Sequence, residues 1–138
     1  MMPRTGKFLL VAFVVLVVCF GLGFAWGAAG RGEIEAAFDD ARQQLDIAEA
    51  RGHILDARVS LYNNNFGDAS GHFEQAKTAL RRARDRYQDR RMRDAVSALS
   101  TALERLDEAQ QLANKLDPAA NSKAGEALDA IKVATSTS

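Results

Sequence analysis

Apolar residues recur at alternating steps of four and three along the middle of this 138-residue chain. The series consists of Ile34, Phe38, Ala41, Leu45, Ala48, Gly52, Leu55, Val59, Tyr62, Phe66, Ala69, Phe73, Ala76, Leu80, Ala83 and Tyr87. This heptad spacing puts the residues on one stripe of an α-helix, and such a stripe must be buried against a partner. With only two prolines in the chain, the pattern predicts an all-α fold of long amphipathic helices, the first from about Gly32 to Asn63.

Three consecutive asparagines interrupt the helix formers without interrupting the heptad phase. They lie in LYNNNFGDASGHFEQA, residues 61–76, together with Gly67. Asn and Gly are poor residues for a helix interior and tolerate the left-handed conformation that closes helices. The unbroken phase favours one continuous helix, whereas the local chemistry favours a turn, with Asn65 or Asp68 capping the next helix.

Charges beside the heptad stripe favour the turn and an antiparallel hairpin centred near Gly67. The charged pairs that this hairpin would form are Asp56 with Lys77 and Glu49 with Arg84, both favourable, and Arg42 with Arg91, which is repulsive. The apolar pairs that it would form are Tyr62 with Phe73, Val59 with Ala76, Leu55 with Leu80 and Gly52 with Ala83. Exposed ion pairs contribute only a few tenths of a kcal/mol each, so they select this arrangement and apolar burial stabilises it.

A third helix is predicted from about Met92 to Leu116. Its apolar positions are Met92, Ala95, Leu99, Ala102, Leu106, Ala109, Ala113 and Leu116. The phase differs from that of the second helix, so the chain either turns at residues 88–91 or shifts the seam within a longer helix. Asp117 and Pro118 mark a clearer boundary. We expect a helical bundle domain over 32–116, and a short helix and disordered tail over 117–138.

A charge-free apolar stretch of 22 residues, Phe8–Ala29, precedes the heptads. As a helix it is about 33 Å long, enough to cross a bilayer core of about 30 Å. Arg4 and Lys7 precede it and acidic residues follow it, which predicts a cytoplasmic segment 1–7 and a C-terminal domain outside the cytoplasm. The prediction is a single-pass signal anchor in the inner or plasma membrane, with a periplasmic domain if the cell is Gram-negative.

The alternative is a cleaved signal peptide. Small residues occur at a suitable spacing in Ala25–Gly27 and in Gly27–Ala29, although the apolar run is longer than most signal peptides have. The domain is exported in either case. The single cysteine, Cys19, lies within the apolar stretch, so the domain folds without an internal disulfide.

Two sets of residues with the same spacing are Phe66, Ala69, Phe73, Ala76 and Met92, Ala95, Leu99, Ala102. This spacing resembles the second helix of a tetratricopeptide repeat. The two sets are 26 residues apart, whereas the family repeats every 34 or so, and no closing proline follows. The resemblance covers at most about half of the chain and implies helical hairpins packed through small residues, with protein or peptide binding as the family's function.

The segment from Lys77 to Arg93 carries eight basic and two acidic residues. It is either a patch for an anionic partner, with Lys77, Arg81, Arg84 and Arg91 as the binding residues, or a solvated face that balances the acidic first helix. Nucleic acid is not expected as a partner, because the chain from Arg31 onward has sixteen bases against eighteen acids.

Catalytic and cofactor motifs are missing from the sequence. No nucleophile and base pair, Gly-rich phosphate loop or Glu-x-x-His motif occurs, so we expect no enzyme activity, no cofactor and no metal. His53 and His72 would approach each other in a hairpin, but the predicted role is that of ordinary surface residues. The predicted function is a membrane-anchored helical scaffold or protein-interaction module of the cell envelope, with a protein partner or self-association. The alternative is a cleaved, soluble, exported protein that binds an anionic ligand or partner through residues 77–93.

Overall fold

Four α-helices make up the part of the chain that the computed structural model describes, which is the backbone of residues 4–136 and the side chains of residues 13–19 and 32–136. They are α1 (Arg4–Tyr62), α2 (Phe66–Asp89), α3 (Arg93–Asn114) and α4 (Ala120–Ser136), and no strand occurs among these residues. The all-α prediction is confirmed. The chain divides into two units, Met1–Asp40 and Ala41–Ser138.

The first unit contains the predicted membrane segment. Its described apolar side chains, from Phe13 to Val18, are all at least half exposed. No helix within the described residues is long and apolar enough to cross a membrane. Most of the predicted span, residues 8–12 and 20–29, lies outside the residues whose side chains are described.

The second unit is a four-helix bundle formed by residues 41–62 of α1 together with α2, α3 and α4. Arg51 and Arg58 of α1 donate hydrogen bonds of 3.0 and 2.8 Å to Thr135 and Asn121 of α4, so these two helices are antiparallel neighbours. The other pairs between helices include Asp46 with Arg82 and Arg86, Ser70 with Gln110, and Arg105 with Glu126. Between neighbouring helices, contacts that lie later in one helix involve residues that lie earlier in the other. Neighbouring helices are therefore antiparallel, and the bundle has an up-down-up-down order.

The core of the bundle is built from many alanines and a smaller number of large apolar side chains. The largest fully buried side chains are Ile54, Phe73, Leu80, Leu99, Leu106 and Ile131. Many alanines pack between them, since small residues let helix backbones approach closely. The seams predicted for α2 and α3 are confirmed from Ala69 to Tyr87 and from Ala95 to Ala113. Leu116 is exposed because it lies in the turn after α3.

Turns occur at the asparagines and before α4, as the local chemistry predicts, and also at residues 90–92, where the sequence left a turn and a shifted seam open. Each turn uses one residue with positive φ. Asn64 closes α1 with φ 57°, and the Asn65 side chain accepts a hydrogen bond from the Asp68 backbone N–H to cap α2. Arg91 has φ 59° between α2 and α3, so the chain turns there and the seam does not continue in one helix. Leu116 has φ 58° before α4.

The stripe of α1 that enters the core is not the predicted one. The buried residues of 41–62 are Gln43, Asp46, Ile47, Ala50, Ile54, Ala57 and Leu61. The predicted seam lies on the opposite face, where Leu45, Leu55, Val59 and Tyr62 are all more than half exposed. The two stripes are two residues apart, or about 200° around a helix. Both stripes have heptad spacing. The buried stripe begins with two polar residues, Gln43 and Asp46, so it is the less apolar of the two in the sequence.

The side-chain pairs predicted across the α1–α2 hairpin change with this rotation of α1. Tyr62 is 85% exposed whereas Phe73 is fully buried, so their predicted packing is wrong. The predicted ion pairs, Asp56 with Lys77 and Glu49 with Arg84, are also wrong. The observed pairs are Lys77 with Asp107, Glu49 with Arg82, and Arg84 with Asp85.

Helix α4 belongs to the same unit as the other bundle helices. Its buried residues are Ala120, Ala124, Ala127, Ile131 and Ala134. They recur at helical spacing and fill the side of the bundle between α3 and α1. The helical unit therefore includes the short helix predicted after residue 116, which runs from Ala120 to Ser136.

Candidate functional site

The outer face of α1 is the main apolar surface that the bundle leaves uncovered. We use this name for Leu45, Ala48, Gly52, Leu55, Val59 and Tyr62, all of which are exposed. Leu55 is 51% exposed although the adjacent Ile54 is fully buried. The bundle buries only one stripe of α1, so a second heptad stripe remains in contact with solvent.

Polar and charged residues border the outer face of α1 on both sides. Gln44, Arg51 and Arg58 follow one edge, and Glu49 and Asp56 follow the other. An apolar patch with a polar rim is typical of a protein-interaction surface. Small residues, Ala48 and Gly52, stand at its centre, where a second helix could approach closely.

Lys77, predicted to bind an anionic partner, is buried between α2 and α3. Its side chain is only 6% exposed, and Nζ lies 2.8 Å from Asp107 Oδ1 and 2.9 Å from Glu74 Oε1. Nζ also donates to Gln110 Oε1 at 2.6 Å. Burial alone would lower the pKa of Lys77, but the hydrogen bonds to Asp107 and Glu74 outweigh it and raise that pKa above its ordinary value. The ammonium is thus fully occupied inside the bundle.

Arg82 and Arg86, which the sequence pattern did not single out, hold the one buried carboxylate of α1. Asp46 accepts from Arg82 Nε at 2.8 Å and from Arg86 Nε at 3.0 Å, and Arg82 also binds Glu49 at 2.6 Å. The hydrogen bond to Asp46 raises the pKa of Arg82. An acid in the α1 stripe and arginines in the last two turns of α2 are visible in sequence, but their contact depends on the rotation of α1.

The remaining predicted binding residues do not form one cluster with Lys77. Arg81 is exposed, and Arg84 is half-buried with Nη2 3.1 Å from Asp85 Oδ1. Arg91 is exposed in the α2–α3 turn. There it lines an open depression whose other lining residues are Gln88, Arg93, Val96 and Ser97.

An ion-pair network joins α3 to α4 on another side of the bundle. Arg105 pairs with Glu108 at 2.9 Å and with Glu126 at 3.2 Å, and Lys123 pairs with the same two acids at 3.3 and 3.0 Å. Hydrogen bonds from Arg105 and then Lys123 lower the pKa of Glu108. Each base has two acids and each acid two bases, so this network stabilises the packing of α4 and leaves little charge for a ligand.

The two histidines are brought together by the α1–α2 hairpin. The ring centroids of His53 and His72 lie 6.1 Å apart with an angle of 27° between the ring planes. Asp56 is close enough to both for the three residues to be candidate metal ligands.

No family model, curated protein or solved structure matches the chain. The resemblance to tetratricopeptide repeats stays a prediction.

Proposed function

We propose that this protein is a membrane-anchored helical scaffold of the cell envelope, without catalytic activity, whose bundle associates with a second copy through the outer face of α1. The observation that carries this proposal is the heptad register of exposed apolar residues from Leu45 to Tyr62. Four large side chains at this spacing are what one strand of a coiled coil presents to its partner.

The exposure of the outer face of α1 supports a stable interface with a second copy of the chain. Its four large side chains are all more than half exposed on one stripe of the helix, and a contiguous apolar patch with a polar rim marks an interaction site. A standard interface takes about 800 Å² from each partner, polar rim included. The charged and polar residues along both edges of the outer face would supply the polar rim of such an interface.

Charges at its edges favour a second copy in parallel orientation. In a parallel pair of helices, the residue before each a position faces the residue five places later in the partner. Arg51 then faces Asp56 of the second copy, and Gln44 faces Glu49. Neither pair is repulsive. Two chains anchored by their N-terminal segments in one membrane would also have their bundles on the same side of it.

Cysteine crosslinking tests this association, and two exposed glycines offer a matched pair of sites. A Cβ added at Gly52 of α1 or at Gly71 of α2 meets no atom within 4 Å. In a Cys19→Ser background and in detergent, Gly52→Cys should form a disulfide-linked dimer on mild oxidation, because facing seam positions lie about 6 Å apart. Gly71→Cys should remain monomeric. Equal crosslinking of the two variants would rule out the outer face as the interface.

The orientation needs a site away from the centre of the seam. Ala41 begins the exposed stripe of the bundle unit, so Ala41→Cys should crosslink in a parallel dimer and fail to crosslink in an antiparallel one. Light scattering adds a measurement without cysteines. Val59→Lys should shift the full-length protein to monomer, whereas Val133→Lys, at a similarly exposed valine of α4, should leave the dimer intact.

The membrane anchor is tested by the mass and extraction of the protein from cells. An anchored chain keeps residues 8–29 and stays with the membrane after alkaline extraction. Loss of the first 27 to 29 residues would contradict the anchor and favour the exported, soluble alternative.

A second candidate function, the binding of an anionic polymer, is favoured by the depression at the α2–α3 turn. Arg91 and Arg93 both line it, whereas Lys77, Arg82 and Arg86 of the same segment are engaged within the bundle. Replacing Arg91 and Arg93 with Gln should then abolish retention on immobilised polyphosphate. Lys132→Gln in α4 is the control, and equal retention of all variants would refute this function.

A further inference from the structure

His53 of α1 and His72 of α2 face each other across the contact between these helices. Both residues are half-buried, and their rings are stacked. The turn at residues 63–65 and the rotation of α1 create this contact, so the two residues come together only in the folded bundle.

Asp56 adds a carboxylate to the two imidazoles. It lies three residues after His53, one turn further along the same helix. One candidate ligand atom from each of the three residues lies within 4.8 Å of those of the other two. Ligands of a tetrahedral zinc ion, at about 2.0–2.1 Å from the metal, are roughly 3.4 Å apart. Side-chain rotations that bring the ligand atoms about 1–1.5 Å closer together would therefore complete the site while the helices stay in place.

The Nδ1 atoms of both rings are unpartnered. Within the described residues, Nδ1 of His53 and Nδ1 of His72 are buried and have no hydrogen-bond partner. Buried polar atoms in folded proteins almost always have a partner, which can be an ion or an ordered water molecule. A metal ion bound through these nitrogens would satisfy both atoms.

Glu49, one turn before His53 on α1, lies on the side of the His53 ring that carries Nε2. Its Oε1 lies 3.8 Å from His53 Nε2, and its Oε2 accepts a hydrogen bond of 2.6 Å from Arg82. Metal-binding histidines commonly direct their second ring nitrogen to a carboxylate, which fixes the tautomer and the ring orientation. The 3.8 Å between Glu49 and His53 is longer than a hydrogen bond, so a side-chain movement of about 1 Å would be needed to make this contact.

We propose that His53, His72 and Asp56 bind a divalent first-row transition metal, with zinc as the test ion and water as the fourth ligand. Two imidazoles and one carboxylate suit zinc, whereas calcium and magnesium prefer ligand sets made of oxygen alone. The ion would tie α1 to α2. The site does not depend on the outer face of α1, and the second oxygen of a ligating Asp56 remains available to Arg51 of a second copy.

The experiment uses the untagged full-length protein in detergent, with Cys19→Ser to remove the one thiol of the chain. After treatment with EDTA it is titrated with zinc chloride in a calorimeter. We expect one zinc ion per chain with a Kd below about 10 µM, and a higher midpoint of thermal unfolding with zinc because the ion binds only the folded hairpin. No binding up to about 1 mM zinc would overturn the proposal.

Three variants locate the ion. His72→Gln and Asp56→Asn should each weaken zinc binding at least about tenfold, and Asp129→Asn, an exposed acid of α4, should not. Circular dichroism without zinc checks that each variant is folded, and His53→Gln replaces His72→Gln if the latter is not. Zinc binding that is the same in the folded histidine variant and in the parent protein would overturn the site. The titration is repeated with Val59→Lys, so that loss of the dimer and loss of the metal site are measured separately.

Discussion

Lys77 Nζ of α2 lies 2.8 Å from Asp107 Oδ1 of α3, and the side chain of Lys77 is almost completely buried. Asp107 and Glu74, its acidic partners, are more than half exposed. The charge of Lys77 is thus compensated by acids that remain in contact with water, which avoids the cost of burying a whole ion pair.

Replacement of Lys77 should destabilise the bundle and should not change the binding of an anionic ligand at the surface. Lys77→Ala removes three charge-assisted hydrogen bonds and the buried stem, and we expect the free energy of unfolding to fall by about 2–3 kcal/mol. Lys77→Met keeps most of the stem and should cost about 1 kcal/mol less. Urea denaturation measures both. Arg81→Ala, at an exposed neighbour on α2, is the control and should change stability by less than about 0.5 kcal/mol.

Ile54 and Leu55 test which face of α1 enters the core. Ile54→Ala removes a fully buried side chain and should lower the free energy of unfolding by about 2–5 kcal/mol. Leu55→Ala should lower it by less than about 1 kcal/mol in the monomer, since this side chain is half exposed. Chemical denaturation of the dilute protein compares the two. A larger effect at Leu55 would restore the orientation of α1 that the heptad pattern predicted.

Stability should decrease in acid because two carboxylates have lowered pKa values. Hydrogen bonds from Lys77 and then Gln110 lower the pKa of Glu74 below its ordinary 4.5, and those from Arg105 and Lys123 lower that of Glu108. The unfolded chain binds these protons more readily, so the stabilisation is present above about pH 4.5 and is lost as the pH falls through the lower folded-state values.

Thermal unfolding between about pH 6 and pH 3 measures this loss. We expect the midpoint to fall mainly below about pH 4.5, and less steeply in a Glu74→Gln, Glu108→Gln double variant. Asp129→Gln is the control and should follow the parent protein. An identical pH profile in the double variant would show that these two acids do not set the acid limit.

Arg91 has the left-handed conformation, with φ 59°, which costs a non-glycine residue roughly 1–2 kcal/mol. Arg91→Gly should therefore raise the free energy of unfolding by about 0.5–1 kcal/mol, after the greater freedom of glycine in the unfolded chain is subtracted. Arg93→Gly, at the first residue of α3, should instead lower it slightly, by less than the roughly 1 kcal/mol that glycine costs in a helix interior. If both variants are destabilised equally, the turn at Arg91 is not strained.

The local chemistry of the chain was enough to predict the helices, the turn at the asparagines, and the buried seams of α2 and α3. Helix formers, caps and left-handed residues act within a few positions of one another, so their effect can be read along the sequence. In α2, Phe73 and Leu80 lie on the only strongly apolar stripe, and no second face competed for the core.

The candidate sites depended on long-range contacts, and most of them could not be predicted. Arg82 and Lys77 lie in the same basic segment, yet one binds Asp46 of α1 and the other Asp107 of α3. His53 and His72 could be expected to approach once a hairpin was assumed, but their stacking with Asp56 alongside required the actual rotation of α1.

The sequence by itself determined that α1 is a helix with heptad spacing and that the chain turns back after Tyr62. Only the tertiary structure decided which of two stripes, about 200° apart, faces α2 and α4. The physical reason is that periodicity reports which residues share a face, whereas burial depends on the partners that the face meets. Arg82 and Arg86 supply the partners for Asp46, so the stripe with Asp46 and Ile54 becomes the core and the stripe with Leu55 remains exposed.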